Sequence, residues 1–165
     1  MAPKIWHKVI NKLNKAKLDY LLVGGAALAV HGLPRSTLDM DIYIIAKTEA
    51  LNKLFHLTAS LGLKSGQKAI LAIANSPELF VNQWICFSYE GQDILDVFLT
   101  EEGEFKRLLK DSERKRDKNI SVTVASLKDI EAMKKRSGRP VDLADLELIK
   151  ETKNTKRTLK YKQTK

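Results

Sequence analysis

The sequence predicts an α/β (α+β) fold in which a central mixed β-sheet is flanked by helices, and three observations carry that expectation. Apolar runs short enough for buried strands alternate with segments whose apolar residues recur at helical spacing. Two of the later strand-like runs, 84–89 and 94–99, are separated only by Glu90-Gly91-Gln92-Asp93, which reads as a hairpin turn, so part of the sheet must be antiparallel. The composition, 44% hydrophobic and 30% charged over 165 residues, suits one soluble core rather than a disordered or fibrous chain.

Each element follows from local pattern. Residues 4–17 place Ile5, Trp6, Val9, Ile10 and Leu13 on one helical face with lysines opposite. Residues 19–23 form a buried strand that Gly24-Gly25 ends. A small-residue helix over 26–31 stops at Gly32, with Pro34 just beyond. Residues 40–45 are the next strand, and Thr48 caps a helix through Leu61. Strand-like runs follow at 69–74, 84–89 and 94–99. Residues 101–116 read as a charged helix or lid, 120–124 as a strand, and 126–135 as a helix with the capping pattern Ser126-x-x-Asp129. A last helix spans about 141–151. No repeat or linker interrupts residues 1–150, which form the expected single domain, and 151–165 form a basic tail.

Charge and cysteine content exclude several classes. Of the net +9, most comes from the end of the chain, where seven Lys/Arg from Lys150 onward face one acid, Glu151. The high pI therefore reports a tail, suited either to phosphate backbones or to solvent, rather than a basic face on the body. One cysteine, Cys86, permits no internal disulfide and no cysteine-based zinc site, and its apolar neighbours assign it to the core. No apolar run approaches the ~20 residues of a membrane span, and charges interrupt residues 1–17, so no membrane partner is expected and the location is cytoplasmic.

The chemistry concentrates in Asp39, Asp41 and Asp96. Residues two apart on a strand share a face, so Asp39 and Asp41 converge on one site. Like charges so close call for a cation, and hard oxygen donors select Mg²⁺ or Mn²⁺. Asp96 stands alone among large hydrophobes in Ile94-Leu95-Asp96-Val97-Phe98, a costly position without a partner. Three carboxylates on neighbouring strands fit two-metal phosphoryl transfer. Gly24-Gly25, between a strand and a helix, leaves backbone N–H groups open to a phosphate. Arg35 and Thr37 lie between that turn and the first carboxylate, where Arg35 would either reach triphosphate oxygens or order the loop through an ion pair. His31 is expected to bond nearby backbone at its helix end.

The string from Val23-Gly24-Gly25 to Asp39-Met40-Asp41, with Asp96 downstream, resembles the DNA polymerase beta-like nucleotidyltransferases, within them the small prokaryotic group that includes toxins of abortive-infection toxin–antitoxin pairs. The resemblance extends to Lys134 and to Gly138-Arg139-Pro140-Val141-Asp142-Leu143-Ala144-Asp145-Leu146, a Lys followed by Arg-x-x-Asp and an acidic helix, and so covers most of residues 20–150. It implies the nucleotidyltransferase fold, a nucleoside triphosphate as substrate, Lys134 near the nucleotide, Arg139 and Asp142 as a structural pair across the last two helices, and a cognate antitoxin as a partner. The activity implied is Mg²⁺-dependent transfer of a nucleoside monophosphate to an acceptor hydroxyl on RNA (a tRNA end, for example), protein or a small molecule. The sequence departs from the pattern at Gly25, where many relatives carry Ser, and no large additional domain for an acceptor is expected. Two other readings stand beside the enzyme: a catalytically silent nucleotide-binding partner or sensor, and an interaction protein holding only a structural cation.

Overall fold

The computed structural model describes residues 4–65, 73, 75–117 and 120–163, with backbone only from residue 156 onward. Helix α1 (Lys4–Lys15) buries Trp6, Val9, Ile10 and Leu13, the stripe its spacing predicts. Strand β1 (Leu21–Val23) is buried throughout and runs straight into α2 (Gly24–Val30). Strand β2 (Met40–Ile45) precedes α3 (Thr48–Ser60), which buries Leu51, Leu54 and Leu57. After a 3₁₀ turn (Pro77–Phe80) come β3 (Trp84–Tyr89) and β4 (Gln92–Thr100). The chain continues through α4 (Glu102–Lys110), β5 (Glu113–Asp117), β6 (Ile120–Val124), α5 (Leu127–Ser137) and α6 (Pro140–Gln163).

Six strands form one sheet in the order β3-β4-β2-β1-β6-β5. Pairs β2/β4 and β1/β6 are parallel and the others antiparallel, so the sheet is mixed, as the hairpin signal requires. Along β2, Met40, Ile42 and Ile44 are fully buried, whereas Asp41, Tyr43 and Ile45 are half-buried on the other face. Strand β4 repeats this division, with Leu95, Val97 and Leu99 in the core and Asp96 and Phe98 opposite. One sheet face therefore closes the hydrophobic core and the other forms the floor of a cleft.

Several expectations change. Residues 101–116 are not one charged helix. Helix α4 ends at Lys110, and Glu113–Asp117 instead forms the antiparallel outer strand β5 on β6. The apolar stripe fails after Leu109, and a strand rich in Arg, Lys and Glu is tolerated at a sheet edge, where its charged side chains reach water. The hairpin is tighter than expected: Glu90 and Gly91, with φ of 51° and 80°, turn the chain in two residues. The last helix passes the expected end near 151 and continues to Gln163. The strand-like run 69–74 lies outside the described residues except for Ile73, which is buried and helical rather than in a strand.

Two caps behave as their residues dictate. The hydroxyl of Ser126 accepts from the Asp129 N–H at 3.1 Å and donates to the Asp129 carboxylate at 2.6 Å, fixing the start of α5. Gly138, at φ 62°, supplies the left-handed residue that ends α5 before Pro140 opens α6.

Candidate functional site

Strand register brings the carboxylates together. In parallel pairing, Asp41 on β2 stands opposite Asp96 on β4, and β1 places Val23 opposite Asp41 on its other side. One row thus crosses the sheet from the glycine turn to Asp41, Asp96 and Cys86. Asp39 lies one residue ahead of β2, yet its carboxylate joins the same group: one oxygen from each of Asp39, Asp41 and Asp96 lies within 4.8 Å of the others. All three are half-buried.

Such a cluster is electrostatically unfavourable by itself. Burial first, then the neighbouring charges of Asp39 and Asp96, push the Asp41 carboxyl up to about 7. Burial raises Asp96 as well, against a hydrogen bond from the Cys86 thiol. A divalent cation would remove that repulsion, and an all-oxygen donor set suits a hard ion. Cys86, expected in the core, instead sits half-buried on the cleft face beside Asp96, because strand alternation turns it away from Ile85 and Phe87. Burial and then Asp96 push its thiol up to about 12, which keeps it protonated and unreactive.

The glycines are required by this packing. Gly24 has φ 66°, and a Cβ there would fall 1.9 Å from the Asp41 Oδ2 atom. The backbone of the turn therefore lies directly against the carboxylate. A Cβ on Gly25 would meet the Thr37 side chain at 3.2 Å. Thr37 fills the space that a side chain at 25 would take, and its hydroxyl donates to Asp39 Oδ1 at 2.6 Å. The loop hydroxyl thus orients an acid of the cluster.

Opposite the carboxylates is a second cluster, in which each of two acids has two cationic partners. The Lys134 ammonium is buried between Asp142, at 3.1 Å, and Asp145, at 2.6 Å. Arg35 donates to Asp145 at 2.7 Å, and Arg139 donates to Asp142 at 2.8 Å. Burial works to raise the Asp142 carboxyl, but hydrogen bonds from Arg139, Ser137 and Lys134 outweigh it and hold the group well below the usual carboxylate range. Arg35 therefore makes the loop-ordering ion pair, and Arg139 pairs with Asp142 within the first turn of α6 rather than between helices. His31 bonds backbone as expected, but its partner is not at its own helix end: it is the Ala125 carbonyl, 94 residues on and just past β6, at 2.7 Å.

Gly24, Gly25, Arg35, Thr37, Asp39, Asp41, Asp96 and Lys134 all line one cleft of about 520 Å³, within the size range of ligand sites. Sequence reasoning missed Asp145, Tyr43, Phe98 and Trp84, which line it too. The aromatics carried a readable signal, since Tyr43 and Phe98 stand two residues after Asp41 and Asp96 and so share their face. Asp145 carried one too, since it lies within the motif string and three residues after Asp142, on the same helical face.

Fold and site together define a nucleotidyltransferase-fold protein. Solved structures of two proteins carry the same architecture. A proposed nucleotidyltransferase of Thermotoga maritima superposes with a TM-score of 0.59 at 13% identity, over 92% of each chain. An antigenic nucleotidyltransferase-like protein of Paracoccidioides brasiliensis gives 0.54 at 18% identity, over 88% of this chain and 74% of that one. At these identities the likeness establishes the fold. No family model and no curated protein matches the chain. Among the described residues no helix is long and apolar enough to cross a membrane.

Proposed function

We propose that this protein is a Mg²⁺- or Mn²⁺-dependent nucleotidyltransferase that transfers a nucleoside monophosphate from a nucleoside triphosphate to an acceptor hydroxyl. The observation that carries the reading is the convergence of Asp39, Asp41 and Asp96 within 4.8 Å, against a turn whose glycine leaves no room for a side chain. Bound divalent ions would neutralise triphosphate charge and favour the ionised form of the attacking hydroxyl.

The chain's own residues supply position. Asp39 and Asp41 would hold the ions of the triphosphate, with Thr37 fixing the Asp39 carboxylate. Asp96, on the side of the cluster away from the glycine turn, would direct the acceptor. Gly24 and Gly25 would offer backbone N–H groups to phosphate oxygens, and their lack of a side chain is what lets Asp41 and Thr37 pack against them. In the reaction the acceptor oxygen bonds to the α-phosphorus, the bond to pyrophosphate breaks, and the hydroxyl proton passes to solvent. Lys134 and Arg35, already paired with acids, would act on phosphate as a field and as loop supports rather than as free cations. The motif likeness extends the proposal to a cytoplasmic toxin of an abortive-infection pair, with a cognate antitoxin as partner and RNA or protein as acceptor.

The test is incubation of the protein with each labelled nucleoside triphosphate, Mg²⁺ or Mn²⁺, and host RNA or protein. Label should enter an acceptor only with the metal, and Asp39→Asn and Asp41→Asn should abolish it. Transfer that survives both substitutions overturns the reading. Tight triphosphate binding with no acceptor modified would leave the silent binding protein in its place.

A further inference from the structure

Beside the carboxylates lies a row of aromatic rings that neither metal binding nor phosphate binding uses. Tyr43, Phe98 and Trp84 are register partners across β2, β4 and β3, one strand step beyond Asp41, Asp96 and Cys86. Tyr43 and Phe98 stand 5.5 Å apart between ring centroids, and Trp84 and Phe98 stand 6.3 Å apart, so the three form a continuous surface. Trp84, at its outer end, is 51% exposed. Met133 on α5 and Val141 at the start of α6 add apolar surface to the lining of the same cleft, with Val141 44% exposed.

We propose that this slot is a nucleobase subsite, in which a base stacks on the Tyr43–Phe98–Trp84 row while its phosphate lies at the carboxylates. The spacing suits it. Two residues along a strand advance about 7 Å, the separation that a ribose bridges between phosphate and base. The chemistry suits it also, because stacking on aromatic faces accepts any base, and an exposed indole among apolar neighbours gains most by being covered. The proposal rests on the nucleotidyltransferase reading. The base can come from the donor triphosphate or from the terminal nucleotide of an acceptor strand, and the two sources are separable by experiment.

Tryptophan fluorescence reads the subsite, since the other tryptophan, Trp6, is buried at 7% exposure. Full-length protein is titrated with each of four nucleoside triphosphates plus Mg²⁺, with a short single-stranded RNA, and with inorganic tripolyphosphate plus Mg²⁺. A nucleobase subsite predicts quenching by triphosphates, by RNA, or by both, which assigns the source, and none by tripolyphosphate. Trp84→Ala should weaken the quenching ligand about tenfold or more, measured by calorimetry, while tripolyphosphate affinity stays as in the parent. Trp84→Phe should keep most of that affinity, because a ring remains. Absence of quenching by every base-bearing probe, or unchanged affinities in Trp84→Ala, overturns the proposal. If instead tripolyphosphate fails to bind while RNA still quenches, the base subsite stands and the nucleotidyltransferase reading fails.

Discussion

The two charge clusters facing each other across the cleft differ in one respect that separates their roles. In the first, Asp39, Asp41 and Asp96 crowd together and Asp41 is driven up to about 7. In the second, Asp142 and Asp145 are at least as deeply buried, yet Lys134, Arg35 and Arg139 match them and Asp142 is driven down. Burial is common to both, so the countercharge decides the sign. The matched cluster ties the loop before Asp39 to α5 and α6. The unmatched cluster stores repulsion that a cation can release, which is the property a metal site requires.

The largest expected effect breaks the unmatched cluster. Asp41→Asn should reduce metal-dependent nucleotide transfer by about 10³-fold or more, the order of effect seen when transition-state charge stabilisation is removed. The same variant should melt higher than the parent in chelator, because it removes a buried like charge. Lower stability in chelator would show that the cluster is not repulsive.

Breaking the matched cluster should do the reverse. Lys134→Met leaves Asp142 and Asp145 buried without their shared cation, which costs about 3–5 kcal/mol by urea unfolding. A loss below about 1 kcal/mol would mean that the two acids find other partners.

The clusters should also answer pH with opposite sign. Without metal, folded Asp41 keeps its proton to about pH 7, whereas the unfolded chain releases it near 3.8. The folded state binds more protons between those values, so this group makes stability fall as pH rises from about 4 to 7 and then level off, by on the order of a few kcal/mol. Asp142 is held low, so its contribution is present above the ordinary carboxylate range and is lost as pH falls below it. Adding Mg²⁺ should flatten the decline between 4 and 7 and leave the acid limb unchanged. Melting curves across pH with and without Mg²⁺ test both limbs.

Smaller effects sharpen the comparison. Gly24→Ala places a methyl group against Asp41 at a left-handed backbone position and should cost about 1–3 kcal/mol, together with a weakened response of the melting temperature to Mg²⁺. Ser126→Ala, a cap on α5 away from the carboxylates, should cost only about 1 kcal/mol and leave the Mg²⁺ response intact.

The unmatched cluster was legible in the sequence and the matched one only partly so. Gly24-Gly25, Asp39, Asp41 and Asp96 could be read because each sits in a strand-like run or a turn whose local pattern fixes which way side chains point. Arg139 and Asp142 are three residues apart and could be paired from the motif alone. Arg35 and Asp145 are 110 residues apart, and no local pattern connects them. The expectation of a charged helix or lid over 101–116 failed for a related reason. A highly charged segment carries little periodic signal, and β6 as an available edge is what made Glu113–Asp117 a strand.

By itself the sequence determined the alternation that puts acids and apolar residues on opposite sheet faces, the glycine pair that leaves backbone bare between strand and helix, and the cap that starts α5. Those depend on φ, ψ and side-chain direction over a few residues. Only the tertiary structure decided that β2 and β4 pair in parallel with Asp41 beside Asp96, that Thr37 occupies the space over Gly25, and that Asp145 neutralises Arg35 and Lys134. These depend on which distant segments the buried core brings into register, and burial is what turns their charges into large effects.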